Sequence, residues 1–250
     1  MTPPVAGVRR KWVTPLDNPL LVARHGWALF RQEGLTGVLS GASRFVTELL
    51  RFIYSDSQER LYHLSIDRAA AMPVNAPPYN LRLCIIESRQ DALKLASEGF
   101  DNVLEVVPGV ARRLDSGAVA ACAFMGYELA SIDWMALSDR ARRVVDPAPH
   151  TVDFTAGEAC SAGAFTVRKF RGRGFAACRF SLQVRYLQSR GCRVCYSSID
   201  ADNIASQRTV ERYGAEFDVV FRHRRWLGRD CYERVWSKAE TSPASRRSGE

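Results

Sequence analysis

The stretch Ala164-Phe165-Thr166-Val167-Arg168-Lys169-Phe170-Arg171-Gly172-Arg173-Gly174-Phe175-Ala176 passes from one secondary-structure period to another within thirteen residues. Upstream of it, residues 151–167 read as a strand. Downstream, Phe175, Cys178, Leu182 and Tyr186 recur at helical spacing and predict a helix from about Gly174 to Arg190. Glycines between a strand and a helix let the backbone turn tightly and approach a ligand. The amides at the helix N-terminus point outward, and the macrodipole favours negative charge there. Arg171 and Arg173 add charge-assisted donors. An anion-binding loop is the functional reading of this stretch, and a plain tight turn is the structural one. The Lys-Ser/Thr pair of a P-loop is missing, as is the third glycine of a dinucleotide fingerprint.

Charge along the chain sharpens the choice. The 250 residues carry a formal net charge of +8, from 35 Lys+Arg against 27 Asp+Glu. Residues 159–199 alone contain eight basic side chains and no acidic one, whereas residues 79–158 contain eight basic and twelve acidic. A nucleic-acid binder spreads Lys and Arg along a groove or an arm. Here the excess gathers around the glycine loop, which suits one phosphate-rich small molecule better than a nucleic acid, and no nucleic-acid partner is expected.

Hydrophobic residues make up 46% of the chain and charged ones 25%, enough apolar material for a sizeable core. Seven widely spaced cysteines and no secretory signal predict a reduced, cytoplasmic protein. Cys192 and Cys195 have C-x-x-C spacing but lie in a strand-like run without a second pair, so no metal is expected. None of His25, His63, His150 and His223 has a partner at ligand spacing. No run reaches the ~18 apolar residues of a membrane span.

The chain reads as three parts. Residues 1–78 form a helical N-terminal extension with a Pro-rich linker. Its helices fall at 18–33 and around 45–53, where Phe45, Val46, Leu49, Leu50 and Ile53 share one face, and residues 72–78 are the linker. The stripes serve a core or a second subunit, and peripheral membrane contact through them is the alternative. Residues 79–237 form the main domain, of mixed strands and helices. Within it a strand covers 81–86, helices cover 88–97 and 103–114, and a hairpin turns about Gly126. A polar loop spans 139–150, another strand spans 193–199, Asp202 caps a helix over 203–213, and a last hairpin turns about Gly228. Residues 238–250 are a disordered tail.

The order of strand, Arg171-Gly172-Arg173-Gly174-Phe175-Ala176, helix, strand and Asn203-Ile204-Ala205-Ser206 with Gly214 after the helix resembles the GNAT superfamily of acyl-CoA-dependent N-acyltransferases. That family's phosphate loop reads Gln/Arg-x-x-Gly-x-Gly/Ala, matched by Arg171, Gly174 and Ala176. Its later segment reads Asn-x-x-Ser/Ala, matched by Asn203 and Ser206, with Ala215 where Phe is usual after Gly214. The resemblance implies an α/β (α+β) fold: a mixed, splayed central sheet flanked by helices, opening between strands that end near Val167 and Ile199. It implies acetyl-CoA as cosubstrate. Backbone groups of Phe165, Thr166 and Val167 would pair with the pantetheine arm, amides from Arg171 to Ala176 would hold the pyrophosphate, and Asn203 and Ser206 would contact the arm or the leaving sulfur.

For catalysis the resemblance implies Glu158 as base, with an edge-strand, solvated Glu as the structural reading. The family's usual Tyr, seven residues after Asn203, is replaced by Val210, so Ser206 or water serves the thiolate and Tyr213 stands in reserve. The expected reaction is direct acetyl transfer from acetyl-CoA to a primary amine of a small molecule, amino sugar or protein. Alternatives are a long-chain acyl or aminoacyl transferase of the same fold, or a non-catalytic CoA- or nucleotide-binding module. A homodimer is compatible with either.

Overall fold

The computed structural model describes residues 54–73, 80–227 and 229–237. Its strands are β1 (Tyr54–Ser65), β2 (Leu81–Ile86), β3 (Val119–Met125), β4 (Glu128–Ala136), β5 (Glu158–Thr166), β6 (Val194–Asp200), β7 (Glu216–Trp226) and β8 (Arg229–Ser237). They form one eight-stranded sheet in the order β2-β3-β4-β5-β6-β1-β7-β8. Every neighbouring pair is antiparallel except β5 and β6, which run parallel. The helices are α1 (Ile66–Ala70), α2 (Arg89–Ser97), α3 (Val103–Val106), α4 (Val110–Asp115), α5 (Asp139–Val145), α6 (Phe175–Ser189) and α7 (Ile204–Arg212).

Helices cover the sheet on both faces, and the sequences of β3 (VAACAFM) and β4 (ELASIDWMA) show why. Each strand carries apolar residues on both of its faces, so both faces accept a packed helix, and nearly every position is buried. On one face, Ile86, Phe100, Phe124, Ile132 and Trp134 form a core with residues of α2 to α5. On the other, Tyr62, Leu64, Met135 and Ile199 pack against Phe180, Val184 and Leu187 of α6, Val210 of α7 and Tyr213.

The hairpins, α6 and α7 lie where the sequence places them. Three other expectations are corrected. Residues 54–70 are not part of a separate extension: β1 lies inside the sheet, paired with β6 over Glu59–Ser65 and with β7 over Tyr54–His63. Leu61, Tyr62, Leu64 and Ile66 are buried in its core. The polar segment after β4 is a helix, α5, capped by Ser138, whose side chain accepts from the Ala141 amide. The strand expected over 151–167 begins only at Glu158, because Asp153 caps a 3-10 turn at Phe154–Ala156 and Gly157 then takes a left-handed conformation. The expected helices at 18–33 and 45–53, most of the linker and the tail lie outside the described residues. Among the described residues, no helix is long and apolar enough to cross a membrane.

Candidate functional site

The site begins where β5 and β6 part. They pair only over Glu158–Ser161 and Val194–Ser197, although β5 continues to Thr166 and β6 to Asp200. Each strand is held by its outer neighbour beyond that point: Thr166 still pairs with Ser131 of β4, and Asp200 with Glu59 of β1. The inner edges therefore diverge, and a hydrogen bond of 2.8 Å between the hydroxyls of Ser161 and Ser197 marks the crotch. Past it, Gly163, Ala164 and Phe165 are exposed although β5 is an interior strand.

The opening is shaped by a bulge. Ile132 faces Phe165 but Trp134 faces Ala162, so β5 has one residue more than β4 opposite Asp133. Gly163 makes this possible: its φ is +78°, and an added Cβ would lie 3.4 Å from the Arg113 guanidinium and 3.6 Å from the Trp134 ring. The resulting cleft has a volume of about 220 Å³. Ala162, Gly163 and Ala164 form one wall, Ser198, Ile199 and Asp200 another, and Ala176 of α6 with Asn203, Ser206 and Thr209 of the α7 region line the rest.

The glycine loop leads into α6, whose first-turn Ala176 lines this cleft. Gly172 and Gly174 have φ of +74° and +80°, conformations open to glycine, and Gly174 caps α6. Arg171, Gly172, Arg173 and Gly174 are exposed. Phe175 is buried against Phe170 in an edge-to-face contact at 5.5 Å, which anchors the first turn of α6 beneath the loop. Among the described residues, the amides from Gly172 to Ala177 have no backbone acceptor outside the helix, and the first bond into α6 is from Cys178 to the Gly174 carbonyl. A row of outward amides at a helix N-terminus fits an anion.

The sequence-predicted residues divide clearly. Ala176, Asn203 and Ser206 line the cleft, and the Asn203 carbonyl oxygen also caps α7 by accepting from the Ser206 amide at 3.2 Å. Val167 does not line the cleft, and its amide donates to the Ala130 carbonyl of β4 at 2.9 Å. The carbonyls of Phe165 and Thr166 accept from Ser131 Oγ and Arg171 Nε. The cleft wall lies earlier in the strand, at Ala162 to Ala164. Tyr213 does not line the cleft: its ring is buried against Phe180, and its hydroxyl donates to the Ala177 carbonyl at 3.2 Å. Glu158 does not line the cleft. It stands at the start of β5, accepting from the Asp153 amide at 2.7 Å and the Tyr196 hydroxyl at 3.4 Å.

Two features escaped the sequence reading. Arg179, one of the eight cations around the loop, is buried and meets Asp133 of β4 at 2.6 Å while donating to Ser131 Oγ at 3.0 Å. Both members of that pair line the cleft. The signal was a lone carboxylate between Ile132 and Trp134 in an apolar strand. The second feature is a buried polar group on the opposite face. Ser198 lines the cleft and donates to Asp146 Oδ2 at 2.9 Å, and His150 Nε2 lies 3.6 Å from the same oxygen. Burial raises the Asp146 carboxyl to about 6 and lowers the His150 imidazole to about 4. Their contact is accordingly a neutral pairing at intermediate pH rather than an ion pair.

All seven cysteines are free thiols, and no group of three or more His, Cys, Asp or Glu side chains among the described residues is placed to hold a metal.

No family model and no curated protein matches the chain. Among solved structures it is similar to a Drosophila protein, with 14% identity and a TM-score of 0.47 over 76% of this chain and 58% of that one. It is also similar to a GCN5-related N-acetyltransferase-like protein from Streptococcus suis, at 16% identity and a TM-score of 0.43 over 74% and 67% of the two chains. A tandem GNAT protein from the clavulanic acid biosynthesis pathway matches at 19% identity and a TM-score of 0.42, over 64% of this chain and 50% of its own. The chain thus spans little more than half of the Drosophila protein and half of the tandem protein. Structures described as GNAT or GCN5-related N-acetyltransferases recur among those it is similar to.

Proposed function

We propose that this chain is an acyl-CoA-dependent N-acyltransferase of the GNAT kind, which moves an acetyl group from acetyl-CoA to a primary amine by direct attack in a ternary complex. The observation that carries the reading is the parting of β5 from β6 after Ser161, at a cleft that Ala176 in the first turn of α6 lines, two residues after the exposed glycine loop. An extended pantetheine arm can lie along the half-exposed edge of β5 as an added strand. The amides of residues 172–177 would receive its pyrophosphate, with Arg171 and Arg173 beside them.

Asn203 and Ser206 flank the cleft where the thioester would end, and Ser206 or water would protonate the departing thiolate. The amine would enter from the opposite face, built by α2 to α5 from the part of the chain in which acids outnumber bases. That balance suits a cationic acceptor. Glu158 is one of two candidate bases, and it would have to act through water or Tyr196, because it starts roughly 10 Å of strand before the crotch.

A thermal-shift screen with acetyl-CoA, longer acyl-CoAs and CoA tests the reading. At a hundredfold excess over Kd, acetyl-CoA should stabilise the fold by about 2.7 kcal/mol, a rise in Tm of about 5–10 °C. A screen in which none of these ligands stabilises the protein removes the cofactor assignment. A larger rise with a long acyl chain than with acetyl-CoA would favour the long-chain alternative.

A further inference from the structure

Ser198 is the point at which the cleft meets the buried polar group on the α5 face. It lines the cleft, and its Oγ donates to Asp146 Oδ2 at 2.9 Å. Asp146 is 1% exposed and has no direct opening to the cleft. Its other oxygen accepts from the Ala148 amide at 3.1 Å. Behind it lies His150, whose side chain is 5% exposed and whose two ring nitrogens make no hydrogen bond among the described residues. A buried imidazole with both nitrogens unpartnered is rarely left so without a role in ligand, water or proton traffic. This one stands 3.6 Å from the carboxylate and packs its ring against Tyr196.

We propose that Ser198 and Asp146 form the proton-accepting pair of the transfer reaction, with Ser198 touching the attacking amine and Asp146 holding the proton that Ser198 passes on. The proposal rests on the acyl-transfer reading of the cleft. The amine enters uncharged, having left one proton in solvent. As its nitrogen attacks the thioester carbon, the N–C bond forms and the C–S bond breaks. Ser198 Oγ takes the second proton from nitrogen while giving its own to the Asp146 carboxylate. The thiolate collects a proton from water, directly or through Ser206, which takes a proton back from that water, and Asp146 returns its proton to solvent before the next turnover. Ser198 is thus the catalytic residue of the pair, and Asp146 positions and discharges it.

The groups that face Asp146 set its readiness. Arg142 of α5 acts on it through space, while its guanidinium donates to the carbonyls of Ala148 and His150. Cys160 of β5 lies close enough to feel its charge. From β6 come Ser198 and Tyr196, the latter joined to Glu158 and influenced by Asp218 of β7. Burial outweighs these polar contacts and keeps the carboxyl at about 6, in the range where a base can both accept and release a proton near neutrality.

The test follows CoA release from acetyl-CoA with ethanolamine as probe amine, between pH 5 and 9, alongside the thermal shift with acetyl-CoA. Wild type should lose activity below about pH 6. Asp146→Asn should lower the rate at least tenfold and lose that limb, Ser198→Ala should lower it at least tenfold, and Ser198→Thr should recover part of it, all with the acetyl-CoA shift intact. Full activity in both Asp146→Asn and Ser198→Ala, or a low-pH limb that disappears in Glu158→Gln and survives in Asp146→Asn, overturns the pair. Carbon-13 titration of the aspartate carboxyls decides the matter if ethanolamine is not accepted. The resonance missing from Asp146→Asn should titrate near 6 and move when Ser198 is replaced or acetyl-CoA added. A resonance that titrates near 4, or one that responds to neither, overturns the proposal. Absence of any acetyl-CoA shift in wild type would instead mark failure of the acyl-transfer reading itself.

Discussion

Arg179 and Asp133 place opposite charges 2.6 Å apart at positions where their side chains are 4% and 6% exposed. Removing one partner leaves the other buried and unpaired, which typically costs 3–5 kcal/mol. Asp133→Ala should therefore destabilise the protein by about 3–5 kcal/mol in urea denaturation, far more than loss of an exposed pair such as Arg82–Glu98. A loss below about 1 kcal/mol would show that the pair is solvated. Asp146 and His150 carry a second residue-scale consequence. The Asp146 carboxyl is raised from 3.8 to about 6, so its contribution is fully present below pH 3.8 and is lost as pH rises through 6. His150 is lowered from 6.5 to about 4, so its contribution is present above pH 6.5 and is lost as pH falls through 4. Relative to wild type, Asp146→Asn should gain about 3 kcal/mol between pH 4 and 7, and His150→Phe should lose about 3 kcal/mol over the same range. Parallel stability profiles for the three proteins would contradict this electrostatic account. These residues were poorly legible in sequence because their partners come from other elements. Counting charge placed Arg179 at a phosphate site, and only the β4 register shows Asp133 beside it. The glycine loop was legible because its reason is local: two left-handed positions before a helix.

At the scale of elements, the instructive case is β1. Its sequence, YSDSQERLYHLS, has polar residues through its first half and apolar ones in the second, and its burial follows the same division. No local signal announces an interior strand. The polar half is matched across the sheet, with Asp56 against Arg222 and Glu59 near His223, so its charges are partnered by a strand more than 150 residues later. A chain cut at residue 79, the boundary suggested by the Pro-rich segment, would leave β6 and β7 without the strand between them. Circular dichroism of that truncation should show no cooperative melting, whereas a chain starting at residue 54 retains every described element. Cooperative melting of the shorter chain near the full-length Tm would contradict the β1 pairing. The elements from β5 to α7 were legible because each has its own period and cap. The α5 helix carried its signal too, a Ser138 cap with Asp139 in the first turn and Arg142 and Arg143 in the last, but a nearby proline-containing run masked it.

Across the whole molecule, the fold brings a basic loop, a parted sheet and a buried carboxylate to three sides of one opening. Charge counting located only the first. Arg179 is neutralised in the core, Lys169 pairs with Glu128, and Arg193 and Arg171 donate to the carbonyls of Ala156 and Thr166; of the eight cations, Arg171 and Arg173 lie in the glycine loop itself, before the α6 N-terminus. The central claim is that acyl-CoA occupies the parting of β5 from β6, with its arm along β5 and its pyrophosphate on α6. Hydrogen exchange of the full-length protein with and without saturating acetyl-CoA tests this most directly. The account predicts slowed exchange at amides within residues 162–166 and 172–177. Unchanged exchange in both segments, or protection confined to a surface away from the cleft, would contradict it.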